Sequence, residues 1–395
     1  MKKNLYLYIL AGISLFIFTA GTSFLISGWL KGRDLSIIVP SINQPVPTAG
    51  RSKIDPNLPR TEVCPLNGAK FTKQERDIWD QRRPLAVMIE NHLDSRPTSG
   101  LSTADIVYEA VAEGGITRFM GIYYCAVSAI NETIAPVRSA RIYYTQLVPE
   151  YDALYNHVGG AGNCDDPTVD PKAKALCFIR TAKIKDLDQF GLDFKACHRV
   201  TNRLDREVAY EHTMACYTDE LYKVATKRGW TNVDINNKKV AWDKNFVSWK
   251  FKDSSSGSAG SEPAATNIKF DFWSNASDYS VQWQYDLATD SYKRSNGGQA
   301  SVDLNTNEQI KAKNVVVQLV KESGPLDDHK HMAYDVIGKG KMILFQDGKA
   351  FTGTWSKTSA SSRTKFLLDS GKEAQFNPGV IWIELVPSAN QIEYN

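Results

Sequence analysis

The sequence lacks the short motifs that mark several common enzyme classes. No G-x-S-x-G segment surrounds a serine, so the nucleophile of an α/β-hydrolase is not indicated. The glycine-rich segment at 159–162 lacks both the lysine and hydroxyl residue of a P-loop and a dinucleotide fingerprint. No C-x-x-C pair exists, which argues against a zinc site. The formal net charge is only +3 over 395 residues, so no nucleic-acid partner is expected.

The N-terminus carries a long uncharged and mostly apolar run, from Leu5 to Leu30. As a helix this run would span about 39 Å, more than the roughly 30 Å hydrocarbon core of a bilayer. No cysteine ends the run, which argues against bacterial lipidation. We therefore expect residues 1–33 to form an uncleaved transmembrane anchor. A cleaved signal peptide is the alternative, although its apolar region is usually only about 7–15 residues long.

Six cysteines lie outside this run, and an even number in an exported chain predicts disulfides. Fifteen connectivities are possible, and pairing by nearness in the sequence gives Cys164–Cys177 and Cys197–Cys216 and leaves Cys64–Cys125. The positive charges on the two sides of the apolar run are nearly balanced and do not fix its orientation. The cysteines favour a cytoplasmic N-terminus and a body outside the cytoplasm.

Composition divides the rest of the chain. Residues 34–62 are rich in proline and predict an extended linker. Residues 63–235 predict an α+β domain, and residues 236–395 a mainly antiparallel β domain with turns such as Asp347-Gly348. A flexible serine- and glycine-rich stretch, 253–265, is either a domain boundary or a long loop inside the β domain.

Within the first domain, apolar periodicity predicts a βαββαβ order. The predicted strands are Leu85 to Ile89, Thr117 to Tyr124, Thr133 to Val137 and Asp152 to Val158. The predicted helices are Ile106 to Val111, with Ser102 and Asp105 as its capping box, and Ser139 to Val148, with Ser139 as its cap. Strand alternation also fits Ile106 to Val111. Two further helices are predicted at Phe71 to Trp79, capped by Thr72 and Glu75, and at Thr218 to Lys227, capped by Thr218.

Charged residues gather at the ends of these apolar segments. The arginines could form a fork-like receptor for a carboxylate, phosphate or sulfate. The candidate ligand-binding residues are Glu90, Glu113, Arg118, Arg138, Arg141 and His157. The alternative is that the arginines form internal ion pairs with Glu109, Glu113 or Asp105. His92, His157, His198 and His212 are scattered without helical ligand spacing, so neither a metal nor a cofactor is expected.

Several segments resemble the YerB-type lipoprotein family, a bacterial domain of unknown function. They are Arg83 to His92, Arg96 to Leu101, Ala104 to Glu109, Glu113 to Arg118 and Pro136 to Arg141. Gly338 to Trp355 and Asn377 to Ile383 resemble the companion C-terminal domain of that family. The resemblance implies a membrane-tethered envelope protein with two linked domains, and it supplies no catalytic residues. The chain departs from the pattern in lacking the lipidation cysteine and in carrying extra cysteines.

Two functional hypotheses follow. The first is a single-pass protein of the bacterial cell membrane whose extracytoplasmic body is a non-catalytic binding or scaffold protein for an anionic cell-wall glycan or peptide, or for an envelope protein. The second is a cell-wall glycan hydrolase or transferase that uses Glu90, Glu109 or Glu113 with His157. We expect the first, because no nucleophile or metal set is recognisable in the sequence.

Overall fold

Strands dominate the part of the chain that the computed structural model describes, which is residues 54–55, 57–236, 240–253 and 262–395. The α-helices in these ranges are short. They are α1 (Lys73–Trp79), α2 (Ile142–Thr145), α3 (Ala175–Thr181) and α4 (Thr218–Lys227).

The strands up to residue 241 are β1 (Arg60–Val63), β2 (Lys70–Thr72), β3 (Leu85–Glu90), β4 (Ile106–Glu113), β5 (Ile116–Tyr123), β6 (Thr133–Ile134), β7 (Leu154–His157), β8 (Lys185–Asp188), β9 (Cys197–Arg199), β10 (Met214–Tyr217), β11 (Val233–Asp234) and β12 (Val240–Ala241). The later strands are β13 (Lys250–Phe251), β14 (Asn267–Phe270), β15 (Val281–Asp286), β16 (Ser291–Asn296), β17 (Gln299–Ala300), β18 (Val302–Asp303), β19 (Glu308–Gln309), β20 (Lys311–Ala312), β21 (Asn314–Val320), β22 (Glu322–Ser323), β23 (Ala333–Tyr334), β24 (Gly338–Gln346), β25 (Lys349–Lys357), β26 (Lys365–Leu368), β27 (Gln375–Phe376), β28 (Ile381–Pro387) and β29 (Glu393–Tyr394).

Both halves of the chain contribute to one mixed sheet of ten strands. Its order is β26-β25-β24-β21-β28-β4-β5-β3-β7-β8. Strand β28, near the C-terminus, lies parallel to β4 and joins the two halves edge to edge. The described residues all belong to one compact unit. The domain limits at 63–235 and 236–395 stay a prediction, but the sheet itself runs across them.

The central strands are buried along nearly their whole length, as β3 and β28 show. Strands covered on both faces read as continuous apolar runs rather than as alternating patterns. The prediction of a strand at Leu85 to Ile89 is confirmed. The helix predicted at Ile106 to Val111 is wrong, because this segment is the interior strand β4. Apolar residues at every position of a two-sided strand include those at helical spacing, which explains the error.

Aromatic rings fill the space between this sheet and a second sheet of six strands, which contains β14, β15 and β16. Trp283 of β15 meets Trp382 of β28 edge to face, with ring centroids 5.3 Å apart. Phe119 of β5 meets the same Trp382 ring at 5.5 Å. These three rings tie strands from both halves into one core, and edge-to-face pairs add to the stability that apolar burial provides.

Buried carboxylates form a second set of ties between the halves. Asp303 accepts hydrogen bonds from the backbone amides of Gly100 and Ser102, at 3.0 and 2.7 Å. Glu150 is fully buried and is paired with Lys357 and with Arg363, the latter at 2.7 Å. Burial raises the pKa of Glu150, but the attraction of the two cations outweighs it and lowers that pKa to about 2. The carboxylate of Glu150 is therefore ionised across the physiological pH range.

The predicted βαββαβ order is wrong, and the α+β class is confirmed. Because β4 is a strand, no α-helix separates β3 from β4 and β5, and only two short 3-10 turns lie between β3 and β4. The second predicted helix shrinks to α2, whose N-cap is Arg141 and not Ser139. The strand predicted at Thr133 to Val137 keeps only two residues, β6.

Sequence patterns that specify a local hydrogen bond or a helix end predicted α1 and α4 correctly. The capping box of α1 is present, with the Thr72 side chain bonded to the Glu75 amide and the Glu75 side chain to the Thr72 amide. Helix α4 has the predicted bounds, although its N-cap is Tyr217. The Thr218 hydroxyl instead accepts from the Glu132 amide at 2.9 Å.

All three predicted disulfides are confirmed: Cys64–Cys125, Cys164–Cys177 and Cys197–Cys216. The last of these joins directly paired positions of β9 and β10. The first ties the beginning of the described chain to the residues that follow β5.

The predicted anchor at 1–33 lies outside the described residues, as do most of the linker at 34–62 and most of the flexible stretch at 253–265. Within the described part of the chain, no helix is both long enough and apolar enough to cross a membrane. The end of the predicted linker is a strand and not extended coil, because Arg60–Val63 pairs with β2.

The substitution Glu150→Gln is expected to destabilise the fold by about 3–5 kcal/mol, because it leaves the buried Lys357 and Arg363 without their counter-charge. Urea unfolding at pH 7 measures this loss. Glu220→Gln is the matched control, because its ion pair with Lys223 is at the surface and contributes less than about 1 kcal/mol. Equal losses of stability in the two variants would contradict the role of Glu150 in holding the two halves together.

Candidate functional site

The candidate site begins at the hairpin between β4 and β5. Gly114 and Gly115 form its turn with φ of 60° and 81°, a conformation that favours glycine. A Cβ on Gly115 would lie 2.7 Å from the Cβ of Ala276. The absence of a side chain at Gly115 therefore lets Ala276 pack against this turn. The pairing register shifts between Val111 and Glu113. A bulge of this kind re-aims the next side chain, and Glu113 points to different partners from Glu109.

Glu113 forms an ion-pair cluster with two of the predicted arginines. Its carboxylate is paired with Nε of Arg141 and lies 3.4 Å from Nη2 of Arg118. Burial raises the pKa of Glu113, but Arg118 and Arg141 together lower it to about 2. Both arginines also donate to backbone oxygens, Arg118 to Ser139 and Arg141 to Ala140. The arginines are therefore held in place by the fold itself.

Glu90 forms a second cluster at the end of β3. Its carboxylate lies 3.0 Å from Nε of Arg138 and 2.8 Å from Nδ1 of His212. Glu90 and His212 are buried, whereas Arg138 is partly exposed and also donates to the carbonyl of Glu211. The imidazole of His212 stacks on that of His92, with centroids 4.7 Å apart.

His157 lies apart from both clusters. It is fully buried, and its ring nitrogens face the carbonyl of Gly159 at 2.8 Å and the carboxylate of Asp186 at 3.0 Å. Both nitrogens are thus occupied within the fold. His157 is not hydrogen-bonded to Glu90, Glu109 or Glu113.

The six candidate residues therefore share one edge of the central sheet without forming one pocket. Glu90, Glu113 and His157 end the strands β3, β4 and β7, and Arg118 lies at the start of the antiparallel β5. The residues fall into three hydrogen-bonded groups around these strand ends. Ligand binding by any of them stays a prediction.

A cavity of about 480 Å³ lies nearby and was not foreseen from the sequence. It opens between the loop after β3 and the strands β16 to β18. Three arginines line it, Arg96, Arg206 and Arg294, and within the described part of the chain no Asp or Glu does. Its apolar lining includes Leu93, Leu101, Phe119 and Ile310.

Arg294 forms the floor of the cavity and is almost completely buried. Its Nη2 lies 2.8 Å from both carboxylate oxygens of Glu109, and its guanidinium lies 5.3 Å from the ring centres of Phe119 and Trp382. Glu384 sits directly opposite Glu109 on the next strand. Burial, followed by repulsion from Glu109, raises the pKa of Glu384 well above its ordinary value.

Arg96, like Arg206, makes no ion pair with an acidic side chain among the described residues. Its Nε bonds to the backbone and side-chain oxygens of Asn91, and its Nη1 bonds to the carbonyl of Asp278 at 3.1 Å. Its buried Nη2 makes no hydrogen bond with any described residue. Burial and the nearby charge of Arg294 lower the pKa of Arg96 to about 10, so it remains a cation at neutral pH.

The sequence carried weak signals for this cavity. Arg96 belongs to one of the segments that resemble the family, and Arg294 lies in a polar stretch with no motif. Alternation along β16 was the available signal, because Tyr292, Arg294 and Asn296 all face inward. A charge at an inward position of a strand indicates a buried partner or a ligand.

The pH dependence of stability tests the Glu113 cluster. The pKa of Glu113 in the folded state is about 2, below its ordinary value of 4.5. Its contribution is therefore fully present above about pH 4.5 and is lost as the pH falls towards 2. We expect the stability difference between the wild type and Glu113→Gln to shrink by about 3 kcal/mol between pH 5 and pH 2.

Urea unfolding of both proteins across this range gives the difference directly. Other acidic groups, such as Glu150, titrate equally in the two proteins and cancel. A difference that does not change with pH would contradict the ion pairing of Glu113.

Comparison with known proteins places the chain in a family. Residues 71–231 match the "Protein of unknown function (DUF3048) N-terminal domain", and residues 268–383 match the corresponding C-terminal domain. The chain is 30% identical over 334 residues to the Bacillus subtilis (strain 168) protein named "Putative lipoprotein YerB", which covers 84% of this chain and 88% of that protein.

The crystal structure of YerB from Bacillus subtilis has a similar fold. It superposes with a TM-score of 0.67 at 27% identity, covering 84% of this chain and all of that chain. Together these findings show that the chain belongs to the YerB family of proteins of unknown function, with both the N-terminal and the C-terminal domain of that family.

Proposed function

We propose that this chain is a membrane-associated envelope protein whose extracytoplasmic body binds an anionic ligand without transforming it. The observation that carries the proposal is the cavity at Arg96, which has three arginines and no acidic residue among its described lining. The sequence-based hypothesis of an anion receptor is kept, and its site is moved from the Glu113 cluster to this cavity.

The charge balance favours the cavity over the Glu113 cluster. Arg118 and Arg141 share the carboxylate of Glu113, and both also donate to backbone oxygens. Arg96 has no such counter-charge, and its Nη2 is buried without a hydrogen bond to a described residue. A buried N–H group of a cation that makes no hydrogen bond costs free energy, which an incoming carboxylate or phosphate would recover.

The shape of the cavity favours a ligand with an anionic group and an apolar part. Its volume, about 480 Å³, lies within the roughly 300–1,000 Å³ of small-molecule sites. The side chains of Leu93, Leu101 and Phe119 give it an apolar wall, and Asn91 and Asn296 add hydrogen-bonding groups. A carboxylate- or phosphate-bearing fragment of the cell wall has this combination of groups.

The location rests on independent observations. The relative from Bacillus subtilis is named as a lipoprotein. Three disulfides and no free cysteine among the described residues fit an oxidising compartment outside the cytoplasm. The predicted anchor at 1–33 supplies a membrane attachment of a different kind from a lipid, and its single-pass orientation is part of the proposal.

The hydrolase alternative has less support. A glycosidase needs two carboxyl groups that face one substrate, about 5–10 Å apart. Glu109 is fully buried and paired with Arg294, and Glu90 is buried and paired with Arg138 and His212. Glu113 points to different partners from Glu109 after the bulge. No feature of the described residues favours a catalytic pair over ion pairing.

The proposal predicts that Arg96→Gln weakens binding of solubilised, purified cell-wall fragments at least tenfold, because a charged hydrogen bond contributes about 1.5–3 kcal/mol. Isothermal titration of the full chain in detergent measures the affinity, and inorganic phosphate serves as a second probe. Arg76→Gln is the matched control, since Arg76 is a surface arginine that does not line the cavity.

Arg141→Gln separates the two candidate sites. Binding that survives this substitution but not Arg96→Gln supports the cavity, and the reverse pattern supports the Glu113 cluster. If the wild type binds neither probe, or if Arg76→Gln weakens binding as much as Arg96→Gln, the proposed site is wrong.

A further inference from the structure

A second group of residues next to the cavity has the composition of a metal site. His92, Asp94 and His212 each offer one ligand atom, and these atoms all lie within 4.8 Å of one another. His92 and Asp94 belong to the loop that follows β3, and His212 precedes β10. Residues far apart in the sequence are thus brought to one point by the fold.

His212 is positioned as a metal ligand is in known sites. Its Nδ1 lies 2.8 Å from the carboxylate of Glu90 and donates to it, which leaves the lone pair on Nε2. The residue is 5% exposed, yet its Nε2 makes no hydrogen bond with a described residue. Metal-bound histidines usually donate their other ring N–H to a carboxylate, which fixes the tautomer and the ring. Glu90 is itself held by Arg138 at 3.0 Å.

His92 supplies the second imidazole of the group. Its Nδ1 accepts a hydrogen bond from the Asp94 amide at 3.2 Å and lies 3.6 Å from the Asp94 carboxylate, so a metal ion on Nδ1 would take the place of that hydrogen bond. The rings of His92 and His212 are stacked with an interplanar angle of 18°, and the partly exposed His92 ring would turn so that both lone pairs face one ion. Asp94 is largely exposed, so its carboxylate can rotate towards a metal without a cost in packing.

We propose that His92, Asp94 and His212 bind a transition-metal ion of the zinc class, with Glu90 as the residue that positions His212. Two imidazoles and one carboxylate with a free fourth position form a common zinc ligand set. Calcium and magnesium prefer several oxygen ligands, and this group offers one carboxylate. The site goes beyond the proposed anion cavity and does not depend on it.

The surrounding charges favour a strongly coordinating metal. Arg138 is neutralised by Glu90. Arg203 donates to the carbonyls of Ser95 and Pro97, and Arg206 to those of Asp94 and Arg96, so two further cations lie close to the loop. Their repulsion weakens any cation held by electrostatics alone. Zinc, copper and nickel gain most of their affinity from nitrogen donors, so the repulsion by these arginines weakens their binding less.

Titration of the full chain in detergent with Zn²⁺ tests the inference, using a protein without a polyhistidine tag. We expect one Zn²⁺ per chain in the wild type. His92→Asn, Asp94→Asn and His212→Asn should each weaken Zn²⁺ binding at least tenfold. Glu90→Gln should weaken it about 10- to 100-fold, through the loss of the carboxylate that orients His212. The visible spectrum of the Co²⁺-loaded protein reports the same ligands independently.

His198→Asn is the matched control, because His198 stacks between Phe194 and Tyr217 outside the group and should leave Zn²⁺ affinity unchanged. If His212→Asn fails to fold, His92→Asn and Asp94→Asn decide, since these side chains are partly or largely exposed. No Zn²⁺ binding by the wild type, or equal affinity in the wild type and both loop variants, would overturn the proposal.

Discussion

The ion pair between Glu109 and Arg294 is the contact on which the arrangement of the two halves depends. It lies at the centre of the molecule, between a sheet strand of the first half and a strand of the second, and both side chains are at most 1% exposed. Such a pair contributes little net stability over an apolar substitute, but breaking one partner costs about 3–5 kcal/mol. The pair instead selects one arrangement of the two halves. Only the arrangement that brings Arg294 to Glu109 leaves neither charge buried without a partner.

Several residues of the family motifs likewise hold the two halves of the chain together. The backbone amide of Gly100 donates to Asp303, and Asn91 bonds to Asn296 at 2.8 Å. Gly115 has no side chain and so leaves room for Ala276 of the second half. These residues come from the N-terminal motifs and their partners come from the second half. A family motif can therefore mark residues that hold two parts of the molecule together, as well as residues that bind a ligand.

The sequence predicted those features whose physical cause is local. The capping box of α1, the bounds of α4, the buried strand at Leu85 and two of the three disulfides each follow from a few neighbouring residues or from nearness along the chain. The positions of Glu90 and His157 at strand ends were also foreseeable, whereas Glu113 ends a strand that was predicted as a helix.

Features created by distant contacts were not predictable. Strand β4 reads as a helix because its covering on both faces comes from other segments. The partner of Glu109 lies in a polar stretch of the second half, and the walls of the arginine cavity come from both halves. The histidines of the metal group gave no spacing signal, because the fold and not the local sequence brings them together.

The position of β28 also sets the order in which this protein can be built. This strand, Ile381–Pro387, lies between β21 and β4 and pairs with both in parallel. Until β28 has been synthesised, β4 has an open, apolar edge and the two blocks of the sheet cannot join. Long-range pairing of this kind is slow and leaves strand edges open to association with other chains. A chain truncated before β28 would therefore lose the strand that joins the two blocks of its central sheet.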